Sequence, residues 1–422
     1  MTTARGGFAA LDACVHCGFC LQSCPTFLAT GDEADGPRGR IALMRALELG
    51  ALAPTDPALS IHLDRCLGCR GCEPVCPSGV GYGHGLEAAR ERIAAVRRMP
   101  RLAGIALWAM TSPLVAPVVY ALARALRWTG IPRLLSGRGR IGFAMGMLGA
   151  TEPGRREWGV VPAASIGSPG PPRREPLPTP HSPVLLFRGC IMDGLFRHVH
   201  DATTRTLAVN GFTVTSPAGQ VCCGALHAHA GLHAEAQDFA RRNISAFNGS
   251  DAPIAVNSAG CGALLKDYGR LLPDDPRAAR FGARVRDVTE LLAERGPAPG
   301  GPTPARVAYD PPCHLLHAQH VDDPPRRVLG AIPGLTLVPI ANAEQCCGSA
   351  GLYSLTEPEM SRAVLDTKIA NVRAAAPDVV ATGNPGCLMQ IGAGLRAAGA
   401  AAPVRHPVEL LDASYRAAGR YA

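Results

Sequence analysis

The sequence predicts an α+β multidomain protein, with a helical N-terminal module followed by two copies of one α/β domain. Three observations predict it. Eight of the sixteen cysteines fall into two copies of one spacing between Cys14 and Cys76, with helical apolar runs after each. The other eight recur in two sets offset by 123 to 126 residues. Within each set short apolar runs alternate with helical ones, the order of a parallel sheet covered by helices.

The first motif reads Cys14-Val15-His16-Cys17-Gly18-Phe19-Cys20, then Cys24-Pro25; the second reads Cys66-Leu67-Gly68-Cys69-Arg70-Gly71-Cys72, then Cys76-Pro77. Both match the bacterial ferredoxin run, in which three closely spaced thiolates hold one [4Fe-4S] cube and the fourth Cys, before Pro, reaches the other cube. Structural zinc usually takes two separated Cys-x-x-Cys pairs, and here a third Cys at the same step and a Cys-Pro close each run. The resemblance implies two [4Fe-4S] clusters, one held by Cys14, Cys17, Cys20 and Cys76, the other by Cys66, Cys69, Cys72 and Cys24.

After the first motif, Asp35 to Arg40 leads into a run with helical spacing from Ile41 to Glu48. Arg38 and Arg40 read either as a solvated turn or as guanidinium groups that offset the charge of a nearby cluster or dock a partner. The expected ferredoxin-type domain covers residues 1–100.

An Arg-flanked apolar helical segment is expected at 101–150. Leu102 to Ala123 is 22 residues without a charged side chain, long enough to raise the question of a membrane span. Pro113 and Pro117 interrupt it, and five Arg on each side give no orientation preference. A helical hairpin packed on protein, or a peripheral contact with anionic lipid, accounts better for twelve Arg against two acids between Ala88 and Arg156. Nucleic acid is not an expected partner, since no basic motif interleaved with aromatics accompanies the arginines. A proline-rich linker is expected at 151–182.

The first α/β domain, expected at 183–300, carries Cys190, Cys222-Cys223-Gly224 and Cys261. The second, at 301–422, carries Cys313, Cys346-Cys347-Gly348 and Cys387. Strands are expected at 184–187, 213–215 and 254–257 and again at 307–309, 335–339 and 379–382, with cysteines at their carboxyl ends, where sites gather in parallel sheets. His314, His317 and His320 sit at helical spacing and read as solvated or supporting groups in preference to metal ligands.

Cys, Cys-Cys-Gly, Cys resembles the cysteine-rich CCG domain of heterodisulfide reductases and of several flavoenzyme partner subunits. Two ferredoxin motifs followed by two CCG domains resemble the iron-sulfur subunit of bacterial glycolate oxidase, as do the local runs Gln220 to Ala225, Asn257 to Ala263, Cys313 to Gln319 and Cys346 to Tyr353. The reductases end each repeat in Cys-x-x-Cys, whereas Ser258 and Asn384 stand at that first position here. Four thiolates per repeat, Cys190, Cys222, Cys223 and Cys261, then Cys313, Cys346, Cys347 and Cys387, can hold a further iron-sulfur cluster each; a degenerate site is the alternative.

The resemblance implies an electron-transfer subunit of an oxidoreductase with no catalytic residue of its own. FAD-binding flavoprotein partners would oxidise glycolate to glyoxylate, and a quinone or membrane surface would take the electrons. The same plan also suits an anaerobic glycerol phosphate dehydrogenase, a D-lactate oxidising complex, a disulfide reductase of the heterodisulfide type, or a scaffold whose later cysteines bind nothing. Flavin is expected only in the partners, because no Gly-x-Gly-x-x-Gly fingerprint opens a βαβ unit. Residues 1–12 carry no apolar core of signal length, and thiols kept for metal suit the reducing cytoplasm, peripheral to the inner face of the cell membrane.

Overall fold

Among its described residues the N-terminal module has no strand: two cysteine-bearing loops take much of its backbone and short helices supply its core. The computed structural model describes residues 6–153 and 182–421; the proline-rich linker expected at 151–182 lies, from 154 to 181, outside them. Helices Pro37–Glu48, Pro57–Asp64 and Tyr82–Ala94 pack around Ile41, Met44, Leu59, Leu63, Leu86 and Ile93, with Phe8 and Leu11 closing the core from the N-terminal side. Pro37 and Pro57 start their helices where a missing N–H costs nothing, and the Asp56 carboxylate accepts from Ala58 N at 2.8 Å to cap the second.

The Arg-flanked segment folds as helices Arg101–Thr111, Ala116–Trp128, Ile131–Leu134 and Arg140–Ala150. The first two meet at 96° across a short break, so they form an elbow and not the antiparallel hairpin expected. Among the described residues no single helix is long and apolar enough to cross a membrane. Helix Arg140–Ala150 docks on Pro385–Ala397, where Gly146 and Gly392 let the helices approach; a Cβ on Gly392 would sit 2.6 Å from Ala150 Cβ.

Two four-stranded parallel sheets follow. β1 (Ser182–Phe187), β2 (Phe212–Thr215), β3 (Ile254–Val256) and β4 (Val285–Asp287) run in the order β2-β1-β3-β4. β5 (Ala305–Tyr309), β6 (Leu335–Val338), β7 (Val379–Ala381) and β8 (Val404–Arg405) repeat that order as β6-β5-β7-β8. The edge strands β4 and β8 are three and two residues long and carry Arg286 and Arg405, too short and too charged to register as apolar runs. Strand β1 divides its side chains by period two: Leu185 and Phe187 enter a core with Phe247, Tyr268 and Phe281, while Val184 and Leu186 enter a core shared with the second sheet.

The repeats are joined by matched helix pairs, Arg197–Val209 on Pro407–Ala417 and Val288–Arg295 on Asp323–Gly330. Arg205 grips Asp412 with two bonds of 2.8 Å, and Asn210 Nδ2 donates to Tyr415 Oη at 2.9 Å. The N-terminal module touches both repeats: Tyr353 Oη donates to Arg65 O at 2.6 Å, and Arg90 donates to His229 O at 3.1 Å and Cys66 O at 2.6 Å.

Candidate metal centres

The two N-terminal motifs share one backbone shape. His16 and Gly18 in the first, and Gly68 and Arg70 in the second, take left-handed φ angles of 55°, 86°, 63° and 60°. Such φ is uncommon outside glycine, and its recurrence at matched positions in both loops marks a chain bent around a common kind of centre.

Those loops bring the thiols into two groups. One cavity is lined by Cys14, Cys17, Cys20 and Cys76, with Cys72 at its edge; the next is lined by Cys24, Cys66, Cys69 and Cys72. Burial pushes the Cys20 thiol up to about 11, and Cys14, Cys17 and Cys76 beside it push the same way. Burial likewise drives Cys72 well up, followed by Cys69, Cys66, Glu73 and Cys24. Four gathered thiols cannot all ionise without a cation among them, and the cationic core of an iron-sulfur cube supplies that charge. The donor set therefore fits such a group, with the fourth Cys of each motif beside the other motif's three.

Arg40 lies in this site. It is 1% exposed, and Nη1 is 3.8 Å from Cys24 Sγ and 2.9 Å from Thr26 Oγ1. Nε donates to His62 O at 2.7 Å, and Asp35 Oδ1 stands 3.6 Å from Nη2. A solvated turn is thus the wrong reading for Arg40: its cation is held where thiolate charge would gather. Arg38 is exposed by comparison, pairing with Glu33 and donating to His16 O at 3.1 Å.

In the first repeat Cys190 Sγ is 3.4 Å from Cys222 Sγ, and Cys223 Sγ is 3.3 Å from Cys261 Sγ. In the second, Cys313 and Cys346 are 4.0 Å apart, and Cys347 and Cys387 are 3.5 Å apart. All eight stand just beyond the carboxyl ends of β1, β3, β5 and β7 or in the Cys-Cys-Gly loops facing them. The glycine of each loop is required twice over. Gly348 has φ +82°, and a Cβ there would lie 2.6 Å from Ser361 O. Its N–H points at Cys346 Sγ, 3.4 Å away.

The four-thiol sets are not isolated. Cys69 and Cys313 pack on one small cluster of Leu67, Cys346, Tyr353 and Val364, so the second N-terminal set adjoins the second repeat's set. Asn384 Oδ1 accepts from Gly260 N at 3.1 Å while Nδ2 points at Cys387 Sγ at 3.6 Å, tying together the cysteine loops of both repeats. Tyr353 carries no sequence signal beyond its neighbourhood to a cysteine, whereas Asn384 is marked as the residue standing where the reductases have the first Cys of Cys-x-x-Cys.

His314, His317 and His320 do not converge. Helix Cys313–Leu316 ends before His317, whose Nε2 donates to Glu344 O at 2.9 Å. Burial holds His314 down to about 3, beside the ring of His229, and His320 is exposed with a left-handed φ of 57°. His314 and His317 are thus held beside the cysteine loop, His314 Nδ1 lying 3.5 Å from Cys313 Sγ, while His320 faces solvent.

Comparison with known proteins matches residues 10–80 to the 4Fe-4S dicluster domain and residues 184–266 and 307–392 to the cysteine-rich domain, CCG. The chain is 37% identical to the probable glycolate oxidase iron-sulfur subunit of Bacillus subtilis (strain 168), over 96% of this chain and 94% of that one. It is 32% identical to the glycolate oxidase iron-sulfur subunit of Escherichia coli (strain K12), over 95% and 93%. A fumarate reductase (CoM/CoB) polypeptide from Methanothermobacter marburgensis is 31% identical over 96% of this chain and 72% of its own length.

Proposed function

The chain belongs to the family of glycolate oxidase iron-sulfur subunits, and from that premise we propose that it carries electrons, one at a time, away from a flavoprotein partner that oxidises glycolate to glyoxylate. The oxidation releases two electrons and two protons. When bound, iron-sulfur clusters supply one-electron steps, which lets a two-electron donor feed a separate acceptor.

The observation that carries this reading is continuity. The cavities of the first and second thiol sets are both lined by Cys72, and the second set adjoins Cys313 and Cys346 through Leu67 and Tyr353. We assign the ligands as Cys14, Cys17, Cys20 and Cys76 for one cluster, Cys66, Cys69, Cys72 and Cys24 for the other, and the four cysteines of each repeat for a further cluster. Arg40 holds a positive charge against Cys24, while Leu67 and Tyr353 are buried at the junction.

Entry is assigned to the first set. Cys17 is exposed, and Val15 and Phe19 beside it are each 69% exposed, an apolar rim suited to a docked flavoprotein. The acceptor is assigned as a quinone at a membrane. The test compares flavoprotein subunits with and without this chain. Glycolate-dependent dye reduction should persist without it, quinone reduction should require it, and Phe19→Asp should lower quinone reduction with iron content unchanged. Full quinone reduction without the chain would overturn the reading.

A further inference from the structure

Helix Ala116–Trp128 is amphipathic the wrong way round. Its exposed positions are Pro117, Val118, Ala121, Leu122, Ala125 and Trp128, spaced as one helical stripe, and Leu122 is 65% exposed. Its charged positions point inward. Arg124 Nη1 donates to Gly194 O at 2.6 Å, and Arg127 Nη1 donates to Thr151 O at 2.8 Å and Leu195 O at 3.0 Å. Tyr120 lies on Gly194 from the same side and donates to Met110 O at 3.2 Å. A helix that spends its guanidinium groups on backbone carbonyls and leaves its apolar stripe outside is built for an apolar medium on that side.

The preceding helix continues the pattern. Leu102, Ile105 and Trp108 are exposed at three-residue steps on Arg101–Thr111, and Leu114, at the elbow, is 84% exposed. Trp128, at the far end, is 82% exposed. Helices of 11 and 13 residues reach only about 16 and 20 Å, against a hydrocarbon core of about 30 Å, so they can lie in a bilayer surface but not cross it.

We infer that this elbow seats the chain on an anionic lipid surface, with Ile105, Trp108, Leu114, Val118, Leu122 and Trp128 entering the boundary between headgroups and acyl chains. Charge selects lipid over a protein occupant. Arg98 and Arg101 before the elbow, and Arg138 and Arg140 after it in the sequence, are exposed, none in an ion pair among the described residues, and no acid occurs between Glu91 and Glu152. A tryptophan at one end of an apolar patch, Trp128, with arginines beyond the patch on both sides is an arrangement that phosphate headgroups over hydrocarbon favour. The inference rests on the electron-transfer reading only in its use: Tyr120 packs on Gly194, whose N–H donates to Cys190 O at 2.8 Å, so the surface would bring the first repeat's thiols near the lipid.

The test is flotation of the full chain, purified anaerobically, with phosphatidylcholine vesicles with and without phosphatidylglycerol. Wild type should float with the anionic vesicles. Leu122→Glu should weaken binding about tenfold or more, and Arg98→Gln with Arg101→Gln should weaken it for anionic vesicles alone, all with wild-type melting and iron content. Trp128→Ser repeats the apolar test should Leu122→Glu fail to fold. No flotation of wild type, or flotation indifferent to both apolar variants, overturns the inference. So does loss of flavoprotein binding in those variants when wild type never floats, which would make the occupant a protein. Flotation requires no glycolate turnover, so its failure and that of the electron-transfer reading are told apart.

Discussion

Tyr353 donates its hydroxyl hydrogen to the carbonyl of Arg65 at 2.6 Å, which fastens the residue just before Cys66 to the loop that follows Cys346-Cys347-Gly348. This bond joins the N-terminal module to the second repeat at the place where their thiol sets adjoin. Tyr353→Phe keeps the ring but leaves a carbonyl without its donor. It should cost about 1 kcal/mol, read as a lowered melting temperature and faster amide exchange around Arg65.

Arg40 is placed to set a potential. Arg40→Gln removes a buried cation from beside Cys24 and leaves Asp35 with Arg65 and His62 alone. The cluster assigned to the second motif should become harder to reduce, by on the order of tens of millivolts. The cluster assigned to Cys14, Cys17 and Cys20 should move less. Redox titration followed by EPR reads both.

The crossed assignment has its own variant. Cys24→Ser should disturb the cluster assigned to Cys66, Cys69 and Cys72, although Cys24 belongs by sequence to the first motif. Selective loss of the other cluster would show the pairing to be uncrossed.

Acid should loosen the joint between the repeats. His406 Nδ1 accepts from Val408 N at 3.2 Å and Nε2 donates to Asn257 O at 3.1 Å; His200 Nδ1 accepts from Asn257 Nδ2 at 3.0 Å and Nε2 donates to Arg188 O at 2.9 Å. Both rings are satisfied as neutral tautomers, and burial holds them down to about 3 and about 4. A histidine depressed on folding leaves stability whole above its unfolded value near 6.5. Each then costs about 1.4 kcal/mol per pH unit as pH falls toward its folded value. Thermal melts should fall between pH 6.5 and 4, less steeply in His406→Asn.

The cysteines and the repeat made most of the architecture legible. Six of the eight strands among the described residues read as apolar runs, and the thiol sets lie where the strand ends put them. The edge strands β4 and β8 escaped because a run of two or three residues with an arginine has no period to detect. Arg40 was open between two roles because its neighbours Cys24 and Asp35 arrive by folding. The elbow at 101–128 was legible as apolar and arginine-flanked, but not its inversion, since that depends on which face meets Gly194 and Leu195. Tyr353 and Asn384 act across contacts between units, to which local sequence pattern is blind.

On the proposed function, electrons from glycolate enter this chain through a flavoprotein and occupy its clusters in turn. Rapid-freeze EPR after mixing glycolate with the anaerobic complex, and with this chain alone, tests it most directly. Reduced cluster signals should appear within a turnover in the complex and not in the chain alone. Reduction of the isolated chain by glycolate, or full-rate glyoxylate formation and quinone reduction in a complex whose clusters stay oxidised throughout, would contradict it.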